Sequence, residues 1–296
     1  MNGYASDGRA GMTREVIRTG GKINLFLFIT GVRSDGYHEL YSLFLPLPEP
    51  ADTLIFSPAA RPGGLSVRCA TEGIDPGRNT LTRAYELYAE AAGFAPAVNV
   101  ELVKGIPHGA GLGGGSADGA QMLLWLQRHA PAPLPGEKLT AIAARVGADV
   151  PFFLRNRPCL AEGIGERLSE VKSGVEGCSC VLLCPPVRVN TAWAYAEWDR
   201  ERTSFSLTGK TKADKNNRSS CQLFYGMNDF EPVVFAAFPL LSSLKRRLLE
   251  EGAWVAGMSG SGSALFGLFR DSERAAQAAS VLRREKSGGV FGPFVF

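Results

Sequence analysis

The sequence predicts an α+β protein of two domains, with the active site in the cleft between them. The chain has 296 residues, of which 45% are hydrophobic and 21% charged, and this is enough to form two cores. Strand-like and helix-like segments alternate along it, as in two-layer α+β domains. A glycine-rich segment, residues 104–116, lies between a predicted strand and a predicted helix, where ligands are often held.

Residues 1–17 are polar and lack the apolar run of a signal peptide, so we expect a disordered tail. The longest apolar run, Leu25 to Ile29, is far shorter than the roughly 20 residues that span a bilayer. We therefore expect a cytoplasmic protein that has no membrane partner.

The first domain is predicted to span residues 18–160. Apolar and alternating segments predict strands at Ile23–Thr30 and Val98–Lys104. Helical spacing of apolar residues, with glycine or proline stops, predicts helices at Thr80–Ala92, Ser116–Arg128 and Glu137–Val146. The short apolar run Phe152–Leu154 is interpreted as a strand near the end of this domain.

The second domain is predicted to span residues 161–296. Its predicted strands are Val181–Leu183, Ser263–Phe269 and Val290–Phe296, and its predicted helices are Leu240–Leu249 and Ser272–Arg284. Residues 208–220 are polar and rich in lysine, so we expect an exposed flexible loop there.

Net charge and cysteine content argue against nucleic-acid binding, disulfides and a zinc site. A net charge of +3 is too small for a nucleic-acid binder, which needs a dense Lys/Arg surface, but it leaves an anionic small ligand open. Cys178, Cys180 and Cys184 lie in an apolar run without a His or Cys-x-x-Cys partner. Buried free thiols are therefore favoured over disulfides or a zinc site.

The glycine-rich segment carries the main functional signal. Five of the seven residues from Gly109 to Gly115 are glycines, which can adopt positive φ and let the backbone approach a ligand. The helix that follows contributes free amides and a partial positive charge at its N-terminus. We predict that this loop binds phosphates; a glycine-rich surface loop without a ligand is the alternative.

Other nucleotide-binding motifs fit less well. Gly109, Gly111 and Gly114 match G-x-G-x-x-G, yet the ribose-binding acid expected about 20 residues later is missing, which argues against an NAD-dependent oxidoreductase. No lysine follows the last glycine as in a P-loop, and the protein-kinase signatures are absent. The loop therefore predicts a phosphate site of a kind that these motifs do not describe.

Two charged residues stand in apolar surroundings. Asp149 lies between small and apolar neighbours, and Lys22 begins a predicted buried strand, so each needs a partner of opposite charge. Each alone is more typical of a structural ion pair, whereas together with a phosphate loop they are candidates for catalysis.

The sequence resembles the GHMP small-molecule kinases in five ordered segments. These are GKINLFLFITGVRSDGYHEL, IPHGAGLGGGSADGA, GADVPFFL, AEGIGE and GMSGSGSALF, which together extend over residues 21–269. The first and third resemble the branch that phosphorylates the 2-hydroxyl of 4-diphosphocytidyl-2-C-methyl-D-erythritol in the non-mevalonate isoprenoid pathway. The alternatives are a GHMP kinase of homoserine, mevalonate or a sugar, and a nucleotide-binding protein without kinase activity.

The resemblance implies ATP and Mg²⁺ as cofactors, and no protein ligand of the metal is predicted. Lys22 and Asp149 match the family's catalytic pair: a carboxylate would accept the proton of the alcohol, and an ammonium would stabilise nearby negative charge. Asn24 would hold the erythritol hydroxyls. Tyr37 and His38 would recognise the cytidine, unless residues 35–38 form a plain turn, which Asp-Gly also favours.

The resemblance also implies which residues hold the nucleotide. Asn79 and Lys104 match positions near the adenine and ribose. Gly260–Gly262 match a third glycine motif that supports the site from the second domain, and Thr191 and Tyr195 are suspected substrate neighbours. The ATP-binding loop comprises Pro107, His108, Gly109, Ala110, Gly111, Leu112, Gly113, Gly114, Gly115, Ser116 and Ala117.

Overall fold

Two β-sheets, each covered by helices, organise the chain. The computed structural model describes residues 13–59, 64–71, 75, 77, 79–205, 222–285 and 288–296. It confirms the predicted α+β class with two sheet-and-helix units. Within these residues, no helix is both long and apolar enough to cross a membrane.

The first sheet has six strands: β1 (Glu15–Val32), β2 (His38–Pro58), β3 (Leu65–Cys69), β4 (Val98–Val103), β5 (Cys159–Gly163) and β6 (Arg167–Glu170). Their order is β3-β4-β2-β5-β6, and β1 also pairs with β2. A turn at residues 33–37 joins β1 to β2, with Gly36 at a φ of +84° that only glycine adopts readily. This long hairpin carries several predicted site residues at its two ends.

Four helices cover one face of the first sheet: α1 (Thr80–Ala92), α2 (Gly114–His129), α3 (Gly136–Val146) and α4 (Val150–Arg155). The core between them is built around Trp125, which is fully buried and stacks on Phe56 at 4.7 Å. Burying such large aromatic side chains contributes about 2–3 kcal/mol each. The helices therefore fix the start of α2 and the residue before α4 relative to the sheet.

The second sheet is antiparallel, in the order β10-β7-β9-β8. Its strands are β7 (Ser179–Cys184), β8 (Val255–Met258), β9 (Leu265–Phe269) and β10 (Gly289–Val295). The helices of this half are α5 (Thr191–Phe205), α6 (Glu231–Ala237), α7 (Pro239–Glu250) and α8 (Ser272–Arg284).

The two halves share a core and a set of backbone hydrogen bonds. Residues of β1, such as Leu25, pack in one cluster with Leu182 of β7 and Phe266 of β9. The carbonyl of Leu25 accepts from the amide of Gly226 at 2.8 Å, and the amide of Leu27 donates to Met227 at 2.9 Å. Strand β1 is thus held by both halves, which fixes its polar residues between them.

Most predicted elements are confirmed within a few residues, α1 and α8 at both ends. The helix predicted from Ser116 begins two residues earlier, at Gly114. The predicted strand Phe152–Leu154 is wrong, because these residues lie in α4 with Pro151 in its first turn. A short apolar run does not distinguish a buried strand from a buried helix.

The sequence prediction had no counterpart for strands β2, β3, β5, β6 and β8 or for helices α5 and α6. In β2, Pro46, Pro48 and Pro50 are unusual for a long strand, because proline cannot donate to a ladder. They are tolerated because β4 pairs with β2 only from Thr53 and β5 only up to Phe44, and the β1 ladder is irregular between these points. The composition of a segment does not show which part of a strand lacks a hydrogen-bonded neighbouring strand.

Strands of the first sheet extend past the predicted domain limits at two places. Strand β1 begins at Glu15, inside the predicted tail, of which residues 1–12 lie outside the described residues. The first sheet continues to Glu170, past the boundary predicted at residue 160. The lysine-rich segment 208–220 also lies outside the described residues.

Cys178, Cys180 and Cys184 are free thiols, as predicted, and Cys178 is half-buried.

Candidate active site

Lys22 and Asp149, remote in the chain, form an ion pair in the structure. The Lys22 ammonium lies 3.4 Å from an Asp149 carboxylate oxygen, and their side chains are 5% and 28% exposed. Lys22 lies in β1 beside an irregularity of the hairpin, and Asp149 is the residue just before α4. The lysine is thus shielded while the carboxylate remains open to a ligand.

Lys22 is held from two further sides. Its ammonium donates to the Asn24 side-chain oxygen at 2.6 Å and lies 4.6 Å from the centre of the Phe44 ring. The Asn24 amide donates in turn to Ser42 at 2.9 Å. These contacts fix the direction of the ammonium. Because they engage both ends of the Asn24 side chain, a contact of Asn24 with substrate hydroxyls stays a prediction.

The glycine-rich loop runs past this ion pair. The Lys22 amide donates to the Leu112 carbonyl at 2.8 Å. Gly113 has a φ of +70° and caps α2, and a Cβ there would lie 3.0 Å from the Phe153 ring and 3.2 Å from the Lys22 side chain. The first turn of α2, residues 114–117, therefore begins beside the Lys22 side chain. Its free amides and helix dipole favour an anion at this place.

The third glycine motif closes against the same loop from the second sheet. The Ser259 hydroxyl donates to the Gly111 carbonyl at 3.0 Å, and the Ala264 amide donates to Ala110 at 3.0 Å. Gly111 has a φ of +78°, and a Cβ on it would lie 2.2 Å from the Ser259 carbonyl oxygen. Gly109, in contrast, has nothing within 4 Å of such a Cβ. The loop is thus packed at Gly111 and open at Gly109.

A cleft of about 480 Å³ opens between the two halves beside this loop. Residues 104–108 and Ala110 line one side, and residues 184–188 with Ser263 line the other. Pro107 and His108 were predicted there from the resemblance, whereas residues 184–188 were missed. The only signal for them was the pair Pro185-Pro186 directly after a buried strand, which indicates a turn but no ligand.

Lys104 reaches this cleft, but its ammonium is occupied. It donates to Asp52 and, at 2.8 Å, to Asp118. Burial raises the pKa of Asp118 to about 7, although the Lys104 charge acts in the opposite direction. The second oxygen of Asp52 accepts from the amides of Gly105 and Ile106. This cluster supports the start of the loop, and a contact of Lys104 with the ribose stays a prediction.

Asn79 is likewise engaged in the fold. Its side-chain oxygen caps α1 by accepting from the Thr82 amide at 3.0 Å, and its amide donates to the Asp75 carbonyl at 3.0 Å. Such a cap contributes about 1 kcal/mol to helix stability. The predicted contact of Asn79 with adenine therefore remains a prediction without support from these hydrogen bonds.

Tyr37 and His38, at the turn between β1 and β2, have different surroundings. The Tyr37 ring is exposed, whereas His38 stacks on Tyr195 of α5 with ring centres 4.3 Å apart. Burial, and secondarily the charge of Asp149, raise the pKa of Tyr195 to about 12, so its hydroxyl keeps its proton. Thr191, one turn earlier in α5, hydrogen-bonds to Ser261 at 2.8 Å.

Comparison with family models places both halves in one family. Residues 79–157 match the N-terminal domain of GHMP kinases, and residues 211–288 match the C-terminal region of GHMP kinases. Both matches agree with the order of the glycine motifs along the chain.

Comparison with individual relatives identifies one branch of this family. The chain is 52% identical over 272 residues to 4-diphosphocytidyl-2-C-methyl-D-erythritol kinase from Nitratidesulfovibrio vulgaris (strain DP4), covering 90% of this chain and 94% of that one. It is 42% identical to the enzyme of that name from Lawsonia intracellularis, covering 86% of this chain and 88% of the relative.

Solved structures share the fold over nearly the whole chain. A crystal structure of 4-(cytidine 5'-diphospho)-2C-methyl-D-erythritol kinase is 36% identical, with a TM-score of 0.75, and the match covers 94% of this chain and 97% of that one. Homoserine kinase from Cytophaga hutchinsonii superposes with a TM-score of 0.70 at 16% identity, over 99% of this chain and 98% of that one. The latter shows a common fold only.

Proposed function

Because the chain belongs to the 4-diphosphocytidyl-2-C-methyl-D-erythritol kinases of the GHMP kinase family, we propose that it transfers the γ-phosphate of ATP to the 2-hydroxyl of that substrate. The observation that carries the proposal is the ion pair of Lys22 and Asp149 beside the open start of α2. It combines a proton acceptor, a cation and an anion-binding helix end at one place. Enzymes that transfer phosphoryl groups commonly use groups of these kinds to orient the nucleophile and to stabilise the developing charge.

The residues suggest a role for each part of the site. Loop amides and the N-terminus of α2 would hold the phosphates, with the rest of the nucleotide in the cleft beside residues 104–108. Asp149 would accept the hydroxyl proton as the new O–P bond forms and the bond to the β-phosphate oxygen breaks, which releases ADP. Lys22 would stabilise the negative charge near the reacting oxygens.

The site fits a magnesium ion that is bound mainly by the nucleotide. Among the residues that the structure describes, no group of three or more His, Cys, Asp or Glu could hold a metal. Mg²⁺ is commonly held by phosphates and one or two protein oxygens. Ser116, in the first turn of α2 beside the predicted phosphate site, would be a protein oxygen donor to the ion. When bound, the magnesium ion would neutralise part of the negative charge of the phosphates.

Substrate choice is tested by direct assay. ATP consumption is measured with 4-diphosphocytidyl-2-C-methyl-D-erythritol, homoserine, mevalonate and a sugar in turn. We expect turnover with the cytidyl substrate. Turnover with one of the other alcohols alone would identify a different GHMP kinase, and ATP binding without any turnover would identify a nucleotide-binding protein. Action in the cytoplasm remains a prediction from the sequence.

The first prediction concerns the cytidine end of the substrate. We expect His38→Ala to raise KM for the cytidyl substrate, since an unpaired base edge costs about 1–3 kcal/mol, while KM for ATP stays nearly unchanged. Steady-state kinetics with each substrate varied measure both values. The control is His129→Ala, because His129 lies at the far end of α2, where its ring stacks on Trp125. An unchanged KM for the cytidyl substrate would contradict a role of His38 in cytidine recognition and would leave residues 35–38 as a plain turn.

The second prediction compares a glycine of the loop with a glycine outside it. Gly111→Ala places a Cβ 2.2 Å from the Ser259 carbonyl oxygen, so the loop and the third motif must separate. We expect its KM for ATP to rise at least about tenfold. Gly93→Ala is the matched control, because Gly93 ends α1 outside the loop and its φ of +63° is also unfavourable for alanine, but no atom lies in the way. Equal effects of the two substitutions on KM for ATP would show that the contact with Ser259 is unimportant.

A further inference from the structure

Three residues of α5 hold the imidazole of His38. Tyr195 stacks on it, the Trp198 ring meets its edge at 5.8 Å, and the Asp199 carboxylate lies 3.0 and 3.1 Å from Nε2. Positions i, i+3 and i+4 share one face of a helix, so these contacts come from a single surface of α5. The His38 side chain is only 9% exposed, so these contacts determine its orientation.

The Asp199 contact determines which ring nitrogen carries the proton. A carboxylate only accepts hydrogen bonds, so Nε2 must be the donor. A neutral imidazole has one N–H, and its other nitrogen is then an acceptor. In the described part of the chain, no hydrogen bond engages Nδ1 of His38. Nδ1 is therefore left to recognise a donor on a ligand.

We propose that Asp199 is a positioning residue that holds His38 in the Nε2–H tautomer and thereby selects cytosine over uracil. This inference rests on the proposed function. Cytosine carries an N4 amino group, which donates, where uracil carries a carbonyl oxygen, which accepts. An accepting Nδ1 pairs with the amino group but faces the carbonyl oxygen with a second lone pair.

The selectivity would depend on both halves of the protein. His38 begins β2 of the first sheet, whereas Asp199 belongs to α5, which packs with the second. The Asp199 side chain is 45% exposed, so its hydrogen bond to His38 contributes little to stability. Its effect would come from hydrogen-bond direction, which solvent screening does not remove.

The tautomer is tested without substrate by nitrogen NMR of the imidazole-labelled full chain at about pH 8.5, where imidazoles are neutral. We expect the His38 signal of the Nε2–H form in the wild type. In Asp199→Asn we expect a tautomer mixture, because the amide can present either its oxygen or its nitrogen to Nε2. A wild-type Nδ1–H or doubly protonated ring, or an unchanged spectrum in Asp199→Asn, would overturn the inference.

Selectivity is tested by kcat/KM with the cytidyl substrate and its uridyl analogue. We expect the wild type to prefer the cytidyl form by about a hundredfold or more, and Asp199→Asn to reduce this ratio at least about tenfold, with KM for ATP unchanged. Glu197→Gln is the control, because Glu197 lies on the same helix and pairs with Arg200. We expect it to keep the wild-type ratio.

The outcomes separate the two hypotheses. A wild type that phosphorylates neither nucleotide substrate contradicts the proposed function. A wild type that phosphorylates both equally well, or an Asp199→Asn variant that is active with an unchanged ratio, overturns the role of Asp199 and leaves the kinase function intact.

Discussion

Asp149→Asn is expected to lower kcat by about 10² to 10⁴, the loss typical of removing a general base. The substitution is nearly isosteric, so the fold and ATP binding should be retained. Asparagine cannot accept the proton of the substrate hydroxyl, and Lys22, 3.4 Å from the carboxylate, loses the charge that it pairs with. Turnover and KM for ATP are measured on the same preparation, together with its melting temperature.

A matched Asp→Asn control exists far from the site. Asp271 caps α8 by accepting from the amides of Glu273 and Arg274. Asparagine caps helices about as well as aspartate, so Asp271→Asn should keep wild-type turnover. A folded Asp149→Asn protein with wild-type turnover would rule out the base role and leave the Lys22–Asp149 pair as a structural feature.

Lys22→Met is expected to lower kcat by about 10² to 10³, comparable to removing one group that stabilises transition-state charge. Stability should fall, because methionine leaves the buried Asn24 side-chain oxygen and the Asp149 carboxylate without their partner, and the desolvation cost saved by removing the ammonium offsets only part of this loss. Turnover and thermal unfolding measure the two effects. Lys138→Met is the control, because Lys138 is exposed and donates to the Ala91 carbonyl, far from Lys22 in the sequence.

The double variant decides whether the two residues act as a unit. If Lys22 and Asp149 serve one step, Lys22→Met with Asp149→Asn should be about as slow as the slower single variant, because groups that act together are not additive. Losses that multiply would show independent contributions and contradict the joint role. A Lys22→Met enzyme with full kcat but reduced stability would assign the lysine to folding alone.

Local sequence predicted most of the elements and the position of the phosphate loop. The helix Thr80–Ala92 was found at both ends because its spacing and its stop at Gly93 are local, and Gly93 has the expected positive φ. The loop before α2 was found because glycines at 109, 111 and 113 are needed for positive φ at those positions. The motifs that indicated a GHMP kinase are also short segments, and the comparisons with relatives agree with them.

What the sequence determined by itself, then, is the set of local conformations and the chemical groups available. Only the tertiary structure decided that Lys22 meets Asp149, that Lys104 turns its ammonium to Asp52 and Asp118, and that Asp199 of α5 reaches His38. Tertiary packing also determines that Phe152–Leu154 are helical and that β2 stays extended despite its three prolines. The physical reason is that propensities and turns depend on neighbouring residues, whereas these pairings depend on how both sheets pack around a shared core.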